Sequence, residues 1–222
     1  MRIRNSPSFT LVELLAVIGI MALLAVVGVP AIKGLTGSGG RKMALGQLLG
    51  AMEVARNIAL NTCTNTAVIF PQKQDDGAFG GANNPYRYRS MAVVGWDPTN
   101  STNPATMQGS WITLPQGISF YPRSIHSLQV ATNVSVRILI RNITTNFSAI
   151  VFQGDGGLSE DPVTGNFNTN ISTTGVAFFE GKVLPDPFTL IWNKTSSNIE
   201  SVTLTRYTGR AFATMRPTNS FP

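Results

Sequence analysis

The stretch SFTLVELLAVIGIMALLAVVGVPAI, residues 8–32, carries a single charged residue, Glu13. The 19 residues from Leu14 to Ile32 contain no charge at all. As a helix they extend over about 28 Å, which is close to the roughly 30 Å of bilayer hydrocarbon. A soluble core helix of this length has a polar stripe, and this segment has none. The sequence therefore predicts a membrane-spanning helix.

Two arginines, Arg2 and Arg4, precede the apolar segment. Positive residues are retained on the cytoplasmic side of a membrane, so this end is predicted to be cytoplasmic and the chain after about Lys33 to be translocated. A cleaved secretory signal is the competing interpretation. It requires a shorter apolar region of about 7–15 residues and a small-residue cleavage site after that region.

The carboxylate of Glu13 needs an explanation, because an ionised group at the centre of a spanning helix costs on the order of 2.5–3.5 kcal/mol. One interpretation is that Glu13 lies at the membrane interface and is solvated. In the other, the chain is cut before Phe9, and the new α-amino group neutralises Glu13 within one chain or between neighbours. A carboxylate near a helix start is also favoured by the helix dipole.

The basic leader, the FTLVE pentapeptide of residues 9–13 and the apolar run that follows resemble the class III signal of type IV pilins and pseudopilins. This resemblance implies that a prepilin peptidase cleaves between Ser8 and Phe9 and that Phe9 is then N-methylated. It also implies that Glu13 neutralises the terminal amine of an adjacent subunit during assembly. Pro30 falls where the family has a helix-kinking proline. The family usually has glycine where this chain has Ser8.

The resemblance implies a set of partners and a location. The partners are other pilins or pseudopilins in a filament, the prepilin peptidase, an inner-membrane assembly platform and membrane lipid. The implied location is the bacterial inner membrane, crossed once, with the N-terminus cytoplasmic and the C-terminal domain periplasmic or displayed on a surface filament.

The remaining sequence divides by composition. Residues 1–8 form the leader and 9–34 the transmembrane or filament-core helix. The Gly-rich residues 35–40 predict a hinge between helical pieces, because each glycine weakens a helix by roughly 1 kcal/mol. Residues 41–62 predict an amphipathic helix whose buried stripe has i, i+3, i+4 spacing; its members are Leu45, Leu48, Leu49, Met52, Ala55 and Ala59. Gly46 and Gly50 either permit close packing with a partner or reduce bulk against a sheet.

Residues 63–222 predict a β-rich periplasmic head domain, because short β-branched runs alternate with Gly, Pro, Asn and Ser clusters. Candidate strands begin at Thr66, Arg87, Ser110, Val134, Ser148, Gly175, Phe188, Ser201 and Gly209, and predicted loops cover 72–86, 97–109 and 154–174. The predicted fold class is α+β and pilin-like. In it the hydrophobic helix continues, after the Gly-rich break, into an amphipathic helix packed on an antiparallel sheet or sandwich.

Three later fragments are similar to the GspH/FimT minor pseudopilins. The helix-to-strand segment from Ala44 to Phe70, the ITLPQGISFYP turn, and the terminal hairpin ESVTLTRYTGRAFATM with its turn at 208–210 carry this likeness. The inserted loops make the chain longer than is typical of that group, so loop-borne functions do not carry over.

Composition excludes several kinds of site. One cysteine, Cys63, cannot form an intrachain disulfide and is expected to be a small buried residue. One histidine, His126, excludes a histidine-rich zinc site. The sequence has no nucleotide-binding, hydrolase or metalloprotease motif. We therefore expect a protein that is not an enzyme and that has no cofactor and no metal.

Two groups of charged residues have both a binding interpretation and a plainer structural one. Asp155, Glu160 and Asp161 suggest a calcium loop, but acidic Gly-rich turns are common and the spacing is not that of an EF-hand. Some FimT-type subunits bind DNA through a basic hairpin, and Arg206, Arg210 and Arg216 lie near that place. Charges that protect a strand edge are the default interpretation of these arginines, and nucleic acid is not expected as a partner.

The sequence thus predicts a pilin-like structural subunit, a minor pseudopilin of a type II secretion or type IV pilus-like filament, which assembles through its N-terminal helix and acts in protein secretion. The alternatives are a DNA-binding subunit for DNA uptake and a singly anchored periplasmic binding or adhesion module.

Overall fold

The structure is a computed structural model that describes residues 11–72, 79, 81, 84–96, 105–121, 134–138, 143–159, 173–184, 189–192 and 198–217. The chain divides into two compact units, Met1–Gly39 and Gly40–Pro222. The boundary between them falls inside the segment that was predicted to be a hinge.

One helix, α1, spans Leu11–Thr62. Its first turn contains Glu13, as the helix dipole favours. It ends at Thr62, and the next residue, Cys63, has a φ of 54°, the left-handed conformation that commonly terminates a helix. The backbone at Cys63 packs closely against Gly154. A Cβ atom at position 154 would lie 2.6 Å from the carbonyl carbon of Cys63, so only glycine fits there.

The predicted break at residues 35–40 is wrong, because this segment belongs to α1. Glycine lowers helix propensity by about 1 kcal/mol per residue, but it does not forbid helical dihedrals. Starting a helix is the costly step, and extending one costs little. A helix with good helix-forming sequence on both sides can therefore continue through a few glycines.

Twelve strands follow α1 in the described residues. Each of the nine predicted strand segments overlaps one of them, while β3 and β8 lie in segments predicted to be loops. The strands are β1 (Thr66–Phe70), β2 (Ser90–Gly95), β3 (Ala105–Met107), β4 (Ile112–Thr113), β5 (Ile118–Phe120), β6 (Val134–Ile138), β7 (Ile143–Phe152), β8 (Leu158–Ser159), β9 (Thr173–Leu184), β10 (Thr189–Trp192), β11 (Asn198–Thr205) and β12 (Ala211–Pro217).

The first sheet curls back on itself. Its strands are ordered β1-β2-β3-β6-β7-β8, β4 pairs with β2, and β1 also pairs with β7. The pairing of Val68 with both Val93 and Ile150 shows that β1 has a neighbour on each side. Strands β3 and β6 run parallel, so the sheet is mixed.

Both faces of the first sheet are buried. Along β1, Val68 and Phe70 belong to the cluster that includes the helix, while Ala67 and Ile69 belong to a second cluster on the opposite face. That second cluster is rich in alanine, because five strands that close into a ring leave little interior space. Its members are Ala67, Ile69, Ala92, Val94, Ala105, Phe147, Ala149 and Val151, and Phe79, Trp96, Met107 and Trp111 pack against it.

The second sheet has the strand order β10-β9-β11-β12, with β5 paired to β9. Its central strand β11 is held by β9 through the pair Val202–Val176 and by β12 through the pair Val202–Ala213. Strand β12 stands at the end of this order, so within the described part of the chain it is an edge strand.

The main core lies between α1 and strands of both sheets. On the helix, Leu48, Met52, Ala55 and Ala59 of the predicted stripe are buried, and Leu45 and Leu49 pack at its rim. Gly46 and Gly50 are exposed, and a Cβ atom at either would meet no atom within 4 Å. The interpretation that these two glycines reduce bulk against a sheet is therefore wrong.

The predicted fold class, an α+β pilin-like arrangement of a broken helix on an antiparallel sheet or sandwich, is wrong. More of the described residues lie in strands than in helix, and the strands form two separate sheets. The first of these sheets is a mixed, half-barrel-like ring rather than a flat layer. Closure by the β1–β7 pair is a long-range event that local strand patterns do not encode.

The predicted single pass through the bacterial inner membrane is also wrong. A membrane-spanning helix needs about 20 consecutive, predominantly apolar residues. In the ranges that the structure describes, no helix combines the length and the apolar character that crossing a membrane requires.

Candidate functional site

The first described turns of α1 expose apolar side chains all round. Eight large apolar residues between positions 11 and 21 are between 48% and 77% exposed; they are Leu11, Val12, Leu14, Leu15, Val17, Ile18, Ile20 and Met21. Because they include neighbouring positions at every angle around the helix, they form no single stripe. We call residues 11–22 the apolar stem.

Glu13 is the acidic residue of the apolar stem and is exposed. It lies between Val12 and Leu14, both of which are more than half exposed. A carboxylate that loses contact with water when the apolar surface around it is covered is destabilised unless it pairs with a positive group.

The other predicted functional residues of the N-terminal segment are Ser8, Phe9 and Pro30. Ser8 and Phe9, the predicted processing site, lie outside the described residues. Pro30 lies within α1, outside the residues whose side chains the structure describes. The processing and kink predictions therefore stay predictions.

A second polar site lies at the tip of the β11–β12 hairpin. The turn between the strands has Gly209 at a φ of 60°, where a side chain would collide with the carbonyl oxygen of Gly156. The amide of Leu158 donates to the carbonyl oxygen of Arg206 at 2.8 Å. The turn at 153–158 thus supports the hairpin tip.

The hairpin tip positions two of the three predicted arginines. The guanidinium of Arg206 lies 5.6 Å from the ring centroid of Tyr207, a cation–π distance, and its Nε is buried. Tyr207 is 85% exposed, and Arg210 is exposed just before β12. Arg216 lies in β12, and its side chain is outside the described set.

A third arginine, which the sequence analysis did not single out, joins this site from the helix. Arg56 Nε donates to the carbonyl oxygen of Thr208 at 2.7 Å, and Arg56 Nη1 lies 3.5 Å from Glu53 Oε1. The sequence signal for the second contact is the i, i+3 spacing of opposite charges. The first contact joins residues 152 positions apart and has no local signature.

The acidic turn shows a structural role for Asp155. Its Oδ1 accepts a hydrogen bond from the amide of Gly157 at 2.8 Å, which stabilises the turn. Glu160 and Asp161 lie outside the described residues. Over the ranges the structure covers, no three His, Cys, Asp or Glu residues are grouped so that they would hold a metal ion.

Cys63 is exposed, so the expectation that it is a small buried residue is wrong. It occupies the position directly after α1, where the chain turns out of the helix and no core surrounds the side chain. Its Sγ lies 3.8 Å from the carbonyl oxygen of Leu60. His126 lies outside the described residues.

An open groove of about 550 Å³ lies beside the second sheet. It is lined by side chains of both charges and by one exposed apolar residue, and these include Arg89, Glu180, Lys182 and Ile191. This mixture does not select one class of ligand.

No family model, curated protein or solved structure matches the chain.

Proposed function

We propose that this chain is a structural subunit of a filament of the type IV pilin or pseudopilin kind, acting in protein secretion rather than in catalysis. In this proposal the apolar stem joins the subunit to other subunits of the same filament. A prepilin peptidase prepares the chain for assembly by exposing Phe9.

The observation that carries the proposal is the exposure of the apolar stem. Burying one Leu, Ile, Val or Met side chain contributes about 1.5–3 kcal/mol. Eight such residues are exposed between positions 11 and 21. Their burial therefore offers more than 10 kcal/mol before the cost of association is subtracted. Contiguous apolar surface of this kind marks an interaction site, and a bundle of identical stems would cover it on every side.

Glu13 gives the proposed assembly its specificity. A carboxylate surrounded by the stems of neighbouring subunits would be strongly destabilising unless it is paired. The amine freed at Phe9 by processing is a group of the required charge, and it is present only in a mature subunit. The pairing therefore favours processed chains and fixes the position of one stem relative to the next.

DNA uptake is not adopted as the function. Binding to the phosphate backbone requires several arginines presented together. At the hairpin tip Arg56 is occupied by Thr208 and Glu53, and Arg206 has a buried Nε and stacks on Tyr207. Arg210 is the exposed arginine of the described part of this site.

Processing at Phe9 is the first test of the proposed function. The chain is produced together with a prepilin peptidase, and the mass of its N-terminal peptide is measured. The expected peptide begins at Phe9 and carries one added methyl group. A chain that keeps Met1 in the presence of an active peptidase would contradict the proposal and favour a subunit that does not polymerise.

A further inference from the structure

We propose that the edge strand β12 binds an extended, acidic segment of a partner polypeptide as an additional antiparallel strand. This inference concerns the second unit of the chain and does not depend on filament assembly by the apolar stem.

Among the described residues no strand pairs with β12 on the side away from β11, and the backbone there offers a row of hydrogen-bonding groups. The amide of Thr205 donates to the carbonyl oxygen of Arg210, which directs the backbone groups of Arg210 towards β11. In an antiparallel ladder the direction alternates along the strand. Phe212 and Thr214 therefore also pair with β11, while the backbone groups of Ala211 and Ala213 point away from it.

The described residues of β12 leave its free edge accessible to a partner strand. Ala213 and Phe212 are exposed, and Phe212 keeps 52% of its surface accessible to solvent. Alanine side chains at 211 and 213 do not block an incoming backbone. Pro217 ends the strand and has no N–H group to offer, so the docking edge ends before it.

The charges at the edge determine what kind of strand fits. Arg210 precedes β12, Arg216 follows six residues later, and residues 206–217 contain no Asp or Glu. Between the arginines, Phe212 supplies an exposed apolar contact. The matching strand has a carboxylate at each end and an apolar residue opposite Phe212, because cross-strand pairs of opposite charge and of apolar side chains are stabilising.

A second copy of this chain is a poorer occupant of the same edge. Antiparallel pairing of two β12 strands centred on Ala213 would place Arg210 of one copy opposite Arg216 of the other. Like charges directly opposite each other destabilise a strand pair. The two arginines therefore oppose self-association at this edge and favour an acidic partner.

Nucleic acid is also a poorer occupant than a peptide. It has no counterpart to the alternating N–H and C=O groups at Ala211 and Ala213. The exposed Phe212 contacts an apolar side chain on a neighbouring strand more favourably than it contacts a phosphate. A peptide strand satisfies the backbone, the apolar side chain and the charges together.

The binding test uses the full chain, kept in solution with a mild detergent, and a capped seven-residue peptide. The peptide has Glu at both ends, Val at the fifth position and Thr elsewhere, with a neutral fluorophore for fluorescence anisotropy. We expect it to bind at least tenfold more tightly than the same peptide with Lys at both ends, and we expect its affinity to fall as NaCl is added. Equal binding of the two peptides, or no binding of either, would overturn the proposal.

Variants of β12 test whether the edge itself is used. Ala213→Pro removes an N–H group that points away from β11, so it is expected to weaken peptide binding at least tenfold while the chain stays folded. Ala213→Thr keeps the N–H group and is expected to bind as the unmodified chain does. Unchanged binding by a folded Ala213→Pro chain would overturn the proposal.

A charge reversal keeps the proposal testable if the proline variant does not fold. Arg210→Glu is expected to weaken binding of the acidic peptide at least tenfold and to strengthen binding of the Lys-ended peptide. The matched control is Lys182→Glu, which reverses an exposed charge on β9. It is expected to leave the affinities of both peptides unchanged. A twelve-base-pair DNA duplex that displaces the acidic peptide through Arg210 would assign the edge to nucleic acid and overturn the peptide proposal.

Discussion

Arg56 Nε donates a hydrogen bond to the carbonyl oxygen of Thr208 at 2.7 Å, and this contact ties the end of α1 to the tip of the β11–β12 hairpin. The turn at 153–158 supports the same hairpin tip, on which Tyr207 is exposed. A single guanidinium thus links the helix to the part of the second sheet on which the proposed docking edge begins.

Removing this contact is expected to loosen the hairpin tip. Arg56→Ala should lower the free energy of unfolding by about 1–2 kcal/mol, because a hydrogen bond from a charged donor is lost. Amide hydrogen exchange at residues 206–210 should become faster. Glu53→Gln is the control, since it removes only the exposed ion pair with Arg56, which is worth about 0.5 kcal/mol or less. Equal losses for the two variants in urea unfolding would argue against the role of the Thr208 contact.

Replacing glycine by alanine is expected to lower the free energy of unfolding at one position and to raise it at another. Gly209→Ala should destabilise by about 2 kcal/mol or more, because φ is positive and the new methyl group meets the carbonyl oxygen of Gly156. Gly50→Ala should instead stabilise by about 1 kcal/mol, because the helix gains propensity and the methyl group meets open space. Chemical denaturation of the two variants measures both effects, and a destabilised Gly50→Ala would show that the exposed helix face is packed in the protein.

The thiol of Cys63 is expected to react in the folded chain. Because Cys63 is exposed, a small alkylating reagent should label one thiol per chain without denaturant, and mass spectrometry counts the labels. Cys63→Gly should preserve stability, whereas Cys63→Val should lose about 1–2 kcal/mol, because a β-branched residue tolerates the left-handed conformation poorly. A thiol that is labelled only after unfolding would contradict the exposed position.

The ion pair between Arg41 and Glu200 predicts an asymmetric response. Their closest atoms are 3.9 Å apart, and the side chain of Glu200 is 8% exposed while that of Arg41 is 21% exposed. Arg41→Met leaves the more buried charge without its partner, so it should cost about 1–3 kcal/mol more in unfolding free energy than Glu200→Met. Thermal or urea unfolding of both variants gives the comparison. A larger loss of unfolding free energy for Glu200→Met would contradict the prediction that Glu200 is the more buried charge of the pair.

Local patterns in the sequence predicted local structure well. The spacing of Leu48, Met52, Ala55 and Ala59 gave the buried face of the helix, because a helix of 3.6 residues per turn places them together. Alternating β-branched runs gave the positions of most strands. A hairpin was also expected around Thr208–Arg210, and Gly209 adopts the positive φ that such a turn needs.

Features that depend on distant contacts were missed. Nothing local in β1 indicates that it pairs with both β2 and β7, so the ring-like first sheet was not predicted. The contact of Arg56 with Thr208 was missed for the same reason, because it joins residues 152 positions apart. The break expected at residues 35–40 is wrong for another reason, because the low helix propensity of glycine does not end a helix that continues on both sides. Burial of Cys63 was inferred from residue type alone, and its position just after the helix decided otherwise.

The most direct test of the central claim compares two carboxylates of α1 during filament assembly. Filaments are isolated from cells that make the unmodified chain, the Glu13→Ala chain or the Glu53→Ala chain, and the subunit is quantified in each preparation. We predict that Glu13→Ala is produced and processed normally but is absent from the filaments, while Glu53→Ala is incorporated like the unmodified chain. Normal incorporation of Glu13→Ala would contradict the proposed assembly contact.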